Sequence, residues 1–410
     1  MSLSQTGAGF TSYQKLVVAL MAFLQFSIIL DFMVMSPLGA MLMPALQVTP
    51  SQFGLVVSAY AFSAGISAIL AAGFADRFDR KNFLLFFYVG FILGTFLCAM
   101  APTYQFLLFG RIVTGIFGGV IGSVVLAIAT DLFPLQMRGR VMGVVQTAFA
   151  ASQILGLPIG LYFANMWGWH APFMMIVVVS IFVCGIIFVY LKPVDAHLQR
   201  GTERNPFLHL WSTLTNSRYV LAFAATGLLT LGGYMLMPFA SAYTVNNLGI
   251  DLDKLPILYL VTGVSAIAVG PLVGRASDAH GKFNVFLFGA ALTMVMVAIY
   301  TNLGTTPLPW VLVVNVLLFA GIFARVIPTQ ALISAIPDPG SRGAFMAVNS
   351  SLQQFAGGAA SVLAGQIVTQ SSSGKLEHFN YLGFVLISTV LVTVAMMYFI
   401  HRRVPEGPSG

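Results

Sequence analysis

Residues 16–43 read LVVALMAFLQFSIILDFMVMSPLGAMLM, and this stretch decides the fold. It is apolar and long enough to cross a bilayer as a helix, yet it holds one carboxylate, Asp31, far from either end. At ~1.5 Å rise per residue, Asp31 lies roughly 24 Å along the helix from Lys15, too deep to reach the near surface. An acid at that depth needs a cation, water or a proton. It therefore marks either an ion or proton pathway or a structural acid that pins helices together.

The composition extends this reading to the whole chain. Of 410 residues, 58% are hydrophobic and only 8% charged, with a mean hydropathy of +0.91. A soluble protein of this length needs more charge to cover its surface. Runs of spanning length lie at 16–43, 52–74, 82–100, 106–130, 140–164, 171–191, 219–245, 256–274, 283–302, 309–332, 343–369 and 380–400. They predict an all-α polytopic membrane protein of twelve helices. The first run is too long for the apolar core of a cleaved signal. The longest polar interval, 192–218, is a solvated linker that divides the chain into six-helix bundles at 1–191 and 219–410.

Fifteen of the 19 Lys and Arg fall in alternate loops that include both chain ends. The positive-inside rule then places both termini in the cytoplasm. The net charge of +7 thus reports topology, and nucleic acid is not an expected partner. Cys98 and Cys184 lie in apolar runs and the six histidines lie in loops or at helix edges, so no metal site is indicated. No glycine-rich phosphate loop occurs. Neither a cofactor nor an enzymatic activity is expected.

The two parts also repeat. Gly115-Ile116-Phe117 is echoed by Gly321-Ile322-Phe323, Arg138-Gly139 by Arg342-Gly343, and Asp76 by Asp278, at offsets of 202 to 206 residues. Paired bundles that handle cargo between them are the repeat logic of secondary transporters.

On these residues the chain resembles the major facilitator superfamily over essentially its whole length. The loop AGFADRFDRKN after the second span resembles the superfamily signature G-x-L-A-D-R-x-G-R-K, with Ala72 and Asp79 at the glycine positions. The loop GRASDAHGK (274–282) after the eighth span repeats it. The resemblance implies a cytoplasmic latch. Asp76, with Arg77 and Arg80, would face the helix start near Arg342, and Asp278, with Lys282, the helix start near Arg138, each carboxylate stabilised by a helix N-terminus. Plain topological anchoring by basic loops is the alternative.

RIVTG (111–115) in the fourth span is similar to a motif of proton-coupled members. Arg111 lies ~9–12 Å from the outer loop, and the family fold brings the first and fourth spans to one cavity, so an Asp31–Arg111 pair is expected. Arginine favours the ionised acid while burial favours the protonated one; the pair serves either proton exchange or permanent ion pairing. GLPIG in the fifth span (Gly156, Pro158, Gly160) and WGWHAPF (167–173) resemble exporter motifs, with Leu157 set between the usual Gly-Pro neighbours and His170 in place of an arginine. Together they resemble the twelve-helix drug/proton antiporter group, with sugar and arabinose efflux proteins as relatives.

Arg325, in GIFARVIPTQ of the tenth span, lies roughly 24 Å from the outer end with no acid nearby. Indeed no Asp or Glu occurs in any span after 219. Arg325 either contacts an anionic group of the cargo or is a gate residue held by carbonyls. Tyr234, Gln25, Met35, Asn349 and Gln353 are further candidates for an amphipathic cargo pocket. The expected function is a proton-coupled antiporter of the inner membrane that exports an amphipathic small molecule as a monomer by alternating access. An importer or facilitator of an organic anion, using Arg325 and Arg111, and a non-transporting sensor remain open.

Overall fold

The computed structural model describes residues 10–72, 74–195, 198, 211–338 and 342–403. The opening stretch forms one helix, Ser12–Leu46. Its start is fixed by a reciprocal cap: Gln14 N donates to Thr11 Oγ1 (3.2 Å), and Thr11 N donates to Gln14 Oε1 (3.0 Å). Thr103 and Asn216 cap the fourth and seventh spans in the same side-chain fashion.

Among the described residues, eleven helices are long and apolar enough to cross a membrane. A further helix, Arg342–Ile367, has the length. Asn349, Ser350, Ser351, Gln353 and Gln354 dilute its apolar character. It packs on the second and seventh spans, and a helix held among helices need not match lipid all round. The strand pairing among the described residues is a two-residue antiparallel one, Thr369–Gln370 with Leu376–Glu377, before the last span.

Two spans are broken, each for a legible reason. In the fifth, Leu135–Ala151 passes through a π turn, Ser152–Gly156, into Leu157–Trp167. A π turn absorbs one extra residue without ending the helix, and Leu157 is the residue that separates Gly156 from Pro158. In the seventh, Ser217–Tyr234 gives way to a 3₁₀ turn, Met237–Phe239, and a short helix, Ala240–Asn246. Pro238 removes a donor there. The Met237 carbonyl, which closes the 3₁₀ turn by accepting from Ala240 N, also accepts from Ser36 Oγ of the first span, and Ser241 Oγ donates back to Ser36 O at 2.9 Å.

The closest approaches between the first six spans and the last six lie toward the face opposite the termini. A Cβ on Gly54 of the second span would come within 2.5 Å of Ser361 O in the eleventh, and one on Gly365 within 2.8 Å of Pro50 O. A Cβ on Gly263 of the eighth span would lie 3.1 Å from Gln153 O of the fifth, and Asn165 Nδ2 donates to Leu252 O at 3.2 Å. Toward the basic face, Cβ atoms on Gly139, Gly143, Gly270, Gly274 and Gly343 would meet nothing within 4 Å. Val144 and Phe149 in the fifth span and Val264, Ile267 and Leu272 in the eighth are exposed there. The molecule is closed on one face and open on the face that carries its termini.

Candidate functional site

The first site lies where the first four spans meet. Arg111 Nη1 donates to Asp31 Oδ2 at 2.8 Å and to Asp31 O at 3.3 Å, and both side chains are fully enclosed. Thr95 of the third span donates to the other carboxylate oxygen, Oδ1, at 3.1 Å. Tyr60 of the second span lays its ring against the guanidinium, 4.6 Å from Cζ. Glycines make this crowding possible. A Cβ on Gly115 would fall 2.5 Å from Tyr60 O, and one on Gly94 2.6 Å from Thr114 N, so the second and third spans approach the fourth backbone to backbone.

The fifth-span glycines press on the same place. Positions for a Cβ on Gly156 and Gly160 lie 2.6 Å from Leu30 and 3.5 Å from Val34, the residues that bracket Asp31. Ser152 Oγ, at the start of the π turn, donates to Phe26 O at 3.1 Å, and Pro158 is buried. The motif read from sequence therefore packs directly on the helix that carries the acid. Beside it an apolar cavity of about 180 Å³, lined by Leu30, Gly156 and Met175 among others, opens between the first, fifth and sixth spans.

The second site lies in the last six spans. Arg325 is 2% exposed, and its Nε and Nη2 have no hydrogen-bond partner. Among the described residues no ion pair includes it. Three more buried polar atoms, Thr329 Oγ1 on the same span and Thr226 Oγ1 and Asn349 Oδ1 on the seventh and eleventh, also lack partners. Such groups cost about 1–3 kcal/mol each when left unmade.

The other candidates scatter. Tyr234 meets Phe32 of the first span with the rings tilted by 44° and centroids 5.9 Å apart, and it lies beside Gly357. Gln25, half-buried, faces Gly122 and its Oε1 is unpartnered. Gln353 is half-buried, whereas Met35 is fully enclosed in the apolar core of the first span. On the basic face, Arg80 pairs with Asp131 at 3.1 Å and donates to Ala75 O at 3.2 Å. Arg138 donates to Phe133 O (3.0 Å) and Thr130 O (2.6 Å). Both arginines are thus tied within the first six spans. Arg77 and Asp278 are exposed and Lys282 is half-buried; the side chains of Asp76 and Arg342 lie outside the described residues. Among the described residues no ion pair joins the first six spans to the last six on this face.

Sequence reasoning reached Asp31 and Arg111 but not Thr95, Tyr60 or Cys98, whose Sγ lies 3.8 Å from Thr114 Oγ1 next to the pair. Nothing in the sequence distinguishes these from other small or aromatic residues of apolar spans.

The family model of the Major Facilitator Superfamily matches residues 21–361 and 222–409. The MFS-type transporter YceJ of Bacillus subtilis is 26% identical over 370 residues, covering 89% of this chain and 93% of that one. The staphyloferrin B transporter of Staphylococcus aureus is 27% identical over 396 residues, covering 91% and 88%. Among solved structures, a bacterial homologue of the human lysosomal transporter Spinster, inward-facing and occupied, superposes with a TM-score of 0.73 at 14% identity, covering 98% of this chain and 100% of that one.

Proposed function

The chain belongs to the Major Facilitator Superfamily, a family of multi-pass secondary transporters and not of enzymes, and from that premise we propose that it is a proton-coupled antiporter that exports an amphipathic small molecule. The observation that supports this reading is the fully enclosed Asp31–Arg111 pair with Thr95 on the free carboxylate oxygen. Asp31 is the proton carrier. Ionised, it neutralises Arg111; protonated, it leaves Arg111 without a counter-charge inside the bundle. The two states therefore favour different packings of the first and fourth spans. A proton taken up from one side shifts the balance between outward- and inward-open forms.

Gly156 and Gly160, packed on Leu30 and Val34, transmit that shift to the fifth span, which faces the eighth across the bundle interface. Cargo occupies the central cavity bordered by Gln25, Tyr234 and Gln353. The basic loops carrying Asp76, Arg77, Arg80, Arg138, Asp278, Lys282 and Arg342 latch the open face in the opposite state. The export direction rests on the fifth-span motif. The protein works as a monomer in the inner membrane with both termini in the cytoplasm.

The test is transport in proteoliposomes under an imposed pH gradient, with internal pH read as candidate cargoes are added. Wild type moves protons when cargo moves, and Asp31→Asn still binds cargo but no longer concentrates it. Undiminished pH-driven transport by Asp31→Asn overturns the reading.

A further inference from the structure

Arg325, Thr226, Thr329 and Asn349 come from three spans, yet they stand at one level. Counted from the basic-face ends of their helices at Ser217, Ser334 and Arg342, they lie roughly 8–14 Å deep. They also share a face. Phe223 of the seventh span, Ile333 of the tenth, and Phe345 and Val348 of the eleventh pack in one cluster. Thr226 lies three residues after Phe223, Thr329 four before Ile333, and Asn349 four after Phe345, each one helical turn from a cluster member. Arg325 lies one turn from Thr329 on the same face.

The threonines are unusual within this chain. Buried Thr262, Thr293, Thr301 and Thr393 each donate to the carbonyl four residues back, at 2.6–2.8 Å. Thr226 and Thr329 do not, and neither has another partner. On Arg325 the two vacant nitrogens, Nε and Nη2, are the side-by-side pair whose N–H groups grip a carboxylate in a fork. Open space borders the seventh and eleventh spans at this level. Gly227 lies seven residues before Tyr234, on the face that Tyr234 turns toward Phe32, and a Cβ there would meet nothing within 4 Å. Ser350, next to Asn349, is exposed.

We propose that these four side chains form the cargo's anchoring site and that the cargo carries a carboxylate. Nε and Nη2 of Arg325 bind its two oxygens, the Thr226 and Thr329 hydroxyls donate to the remaining lone pairs, and the open amide end of Asn349 bonds a polar group next to the carboxylate. The inference rests on the transporter reading but not on proton coupling, because it concerns equilibrium binding.

The experiment uses the full chain in nanodiscs and two probes of one shape, 1-naphthylacetate and its neutral primary amide. Binding is followed by probe fluorescence and by the rise in melting temperature. The carboxylate is expected to bind about ten- to a hundredfold more tightly than the amide. In Arg325→Leu that preference disappears, while Thr226→Val and Thr329→Val each reduce it several-fold. Arg325→Leu without ligand melts no lower than wild type, since it removes a cation that has no partner. Asp31→Asn keeps the preference even where it abolishes pH-driven transport, so the two readings fail separately. Equal binding of the two probes, no binding of the carboxylate, an unchanged preference in Arg325→Leu, or a ligand-free melt well below wild type each overturns the proposal. The last outcome identifies Arg325 as a structural cation held by carbonyls.

Discussion

Two arginines are buried in corresponding spans of this molecule and are treated in opposite ways. Arg111 lies four residues before Gly115 of Gly115-Ile116-Phe117, and Arg325 four residues after Gly321 of Gly321-Ile322-Phe323. Because the two triplets correspond, the cations sit at heights that differ by ~12 Å along equivalent helices. The first is neutralised by Asp31, braced by Thr95 and covered by the Tyr60 ring. Both arginines leave Nε and Nη2 without a hydrogen-bond partner, but among the described residues no ion pair includes the second. One bundle holds a complete ion pair. The other holds a cation without a counter-charge, which asks for a partner from outside.

The contrast can be broken most directly at the complete unit. Arg111→Met leaves Asp31 enclosed without its cation and is expected to lower stability by about 3–5 kcal/mol. Thermal unfolding in detergent reads this, and Asp31→Leu/Arg111→Met should recover most of the loss while abolishing proton coupling. A double variant as unstable as the single one would mean that the pair's geometry, not its charge, holds the spans.

The repeated glycines sharpen the comparison. Gly115→Ala pushes a methyl group to 2.5 Å from the Tyr60 carbonyl, whereas Gly321→Ala meets Thr293 Oγ1 at 2.7 Å and Thr293 N at 3.0 Å. Overpacking against backbone destabilises by about 2–3 kcal/mol. The Gly115 variant should melt below the Gly321 variant and should also shift the pH dependence of transport, because it displaces the ring over Arg111. Equal effects on both measures would remove the asymmetry argued here.

Thr95→Val deletes the donor to Asp31 Oδ1 and leaves a carboxylate oxygen unmatched. A loss of about 1–2 kcal/mol is expected, with transport retained but its pH profile moved. The smallest effect belongs to Arg325→Leu. With no ion partner to abandon, its stability should stay within about 1 kcal/mol of wild type. If it fell as far as Arg111→Met, the two arginines would be structurally alike and the contrast would fail.

Residues 16–43 with one acid and the alternation of basic loops determined the membrane-spanning helical class, and the recurrence of Gly-Ile-Phe pointed to two related halves. These are properties of composition and spacing along a line, and the bilayer converts them into structure because every backbone group in lipid must be satisfied within a helix. Asp31 and Arg111 were legible for the same reason, since a charge in an apolar run stands out without knowledge of its neighbours. Thr95, Tyr60, Thr226 and Thr329 were not. A threonine that caps its own helix and one that reaches a carboxylate 64 positions away have the same surroundings in sequence. The polar eleventh helix, the π turn at Ser152–Gly156 and the closure at Gly54 and Gly365 were likewise decided by packing. Whether two backbones can approach depends on which helix faces which, and only the assembled bundle fixes that.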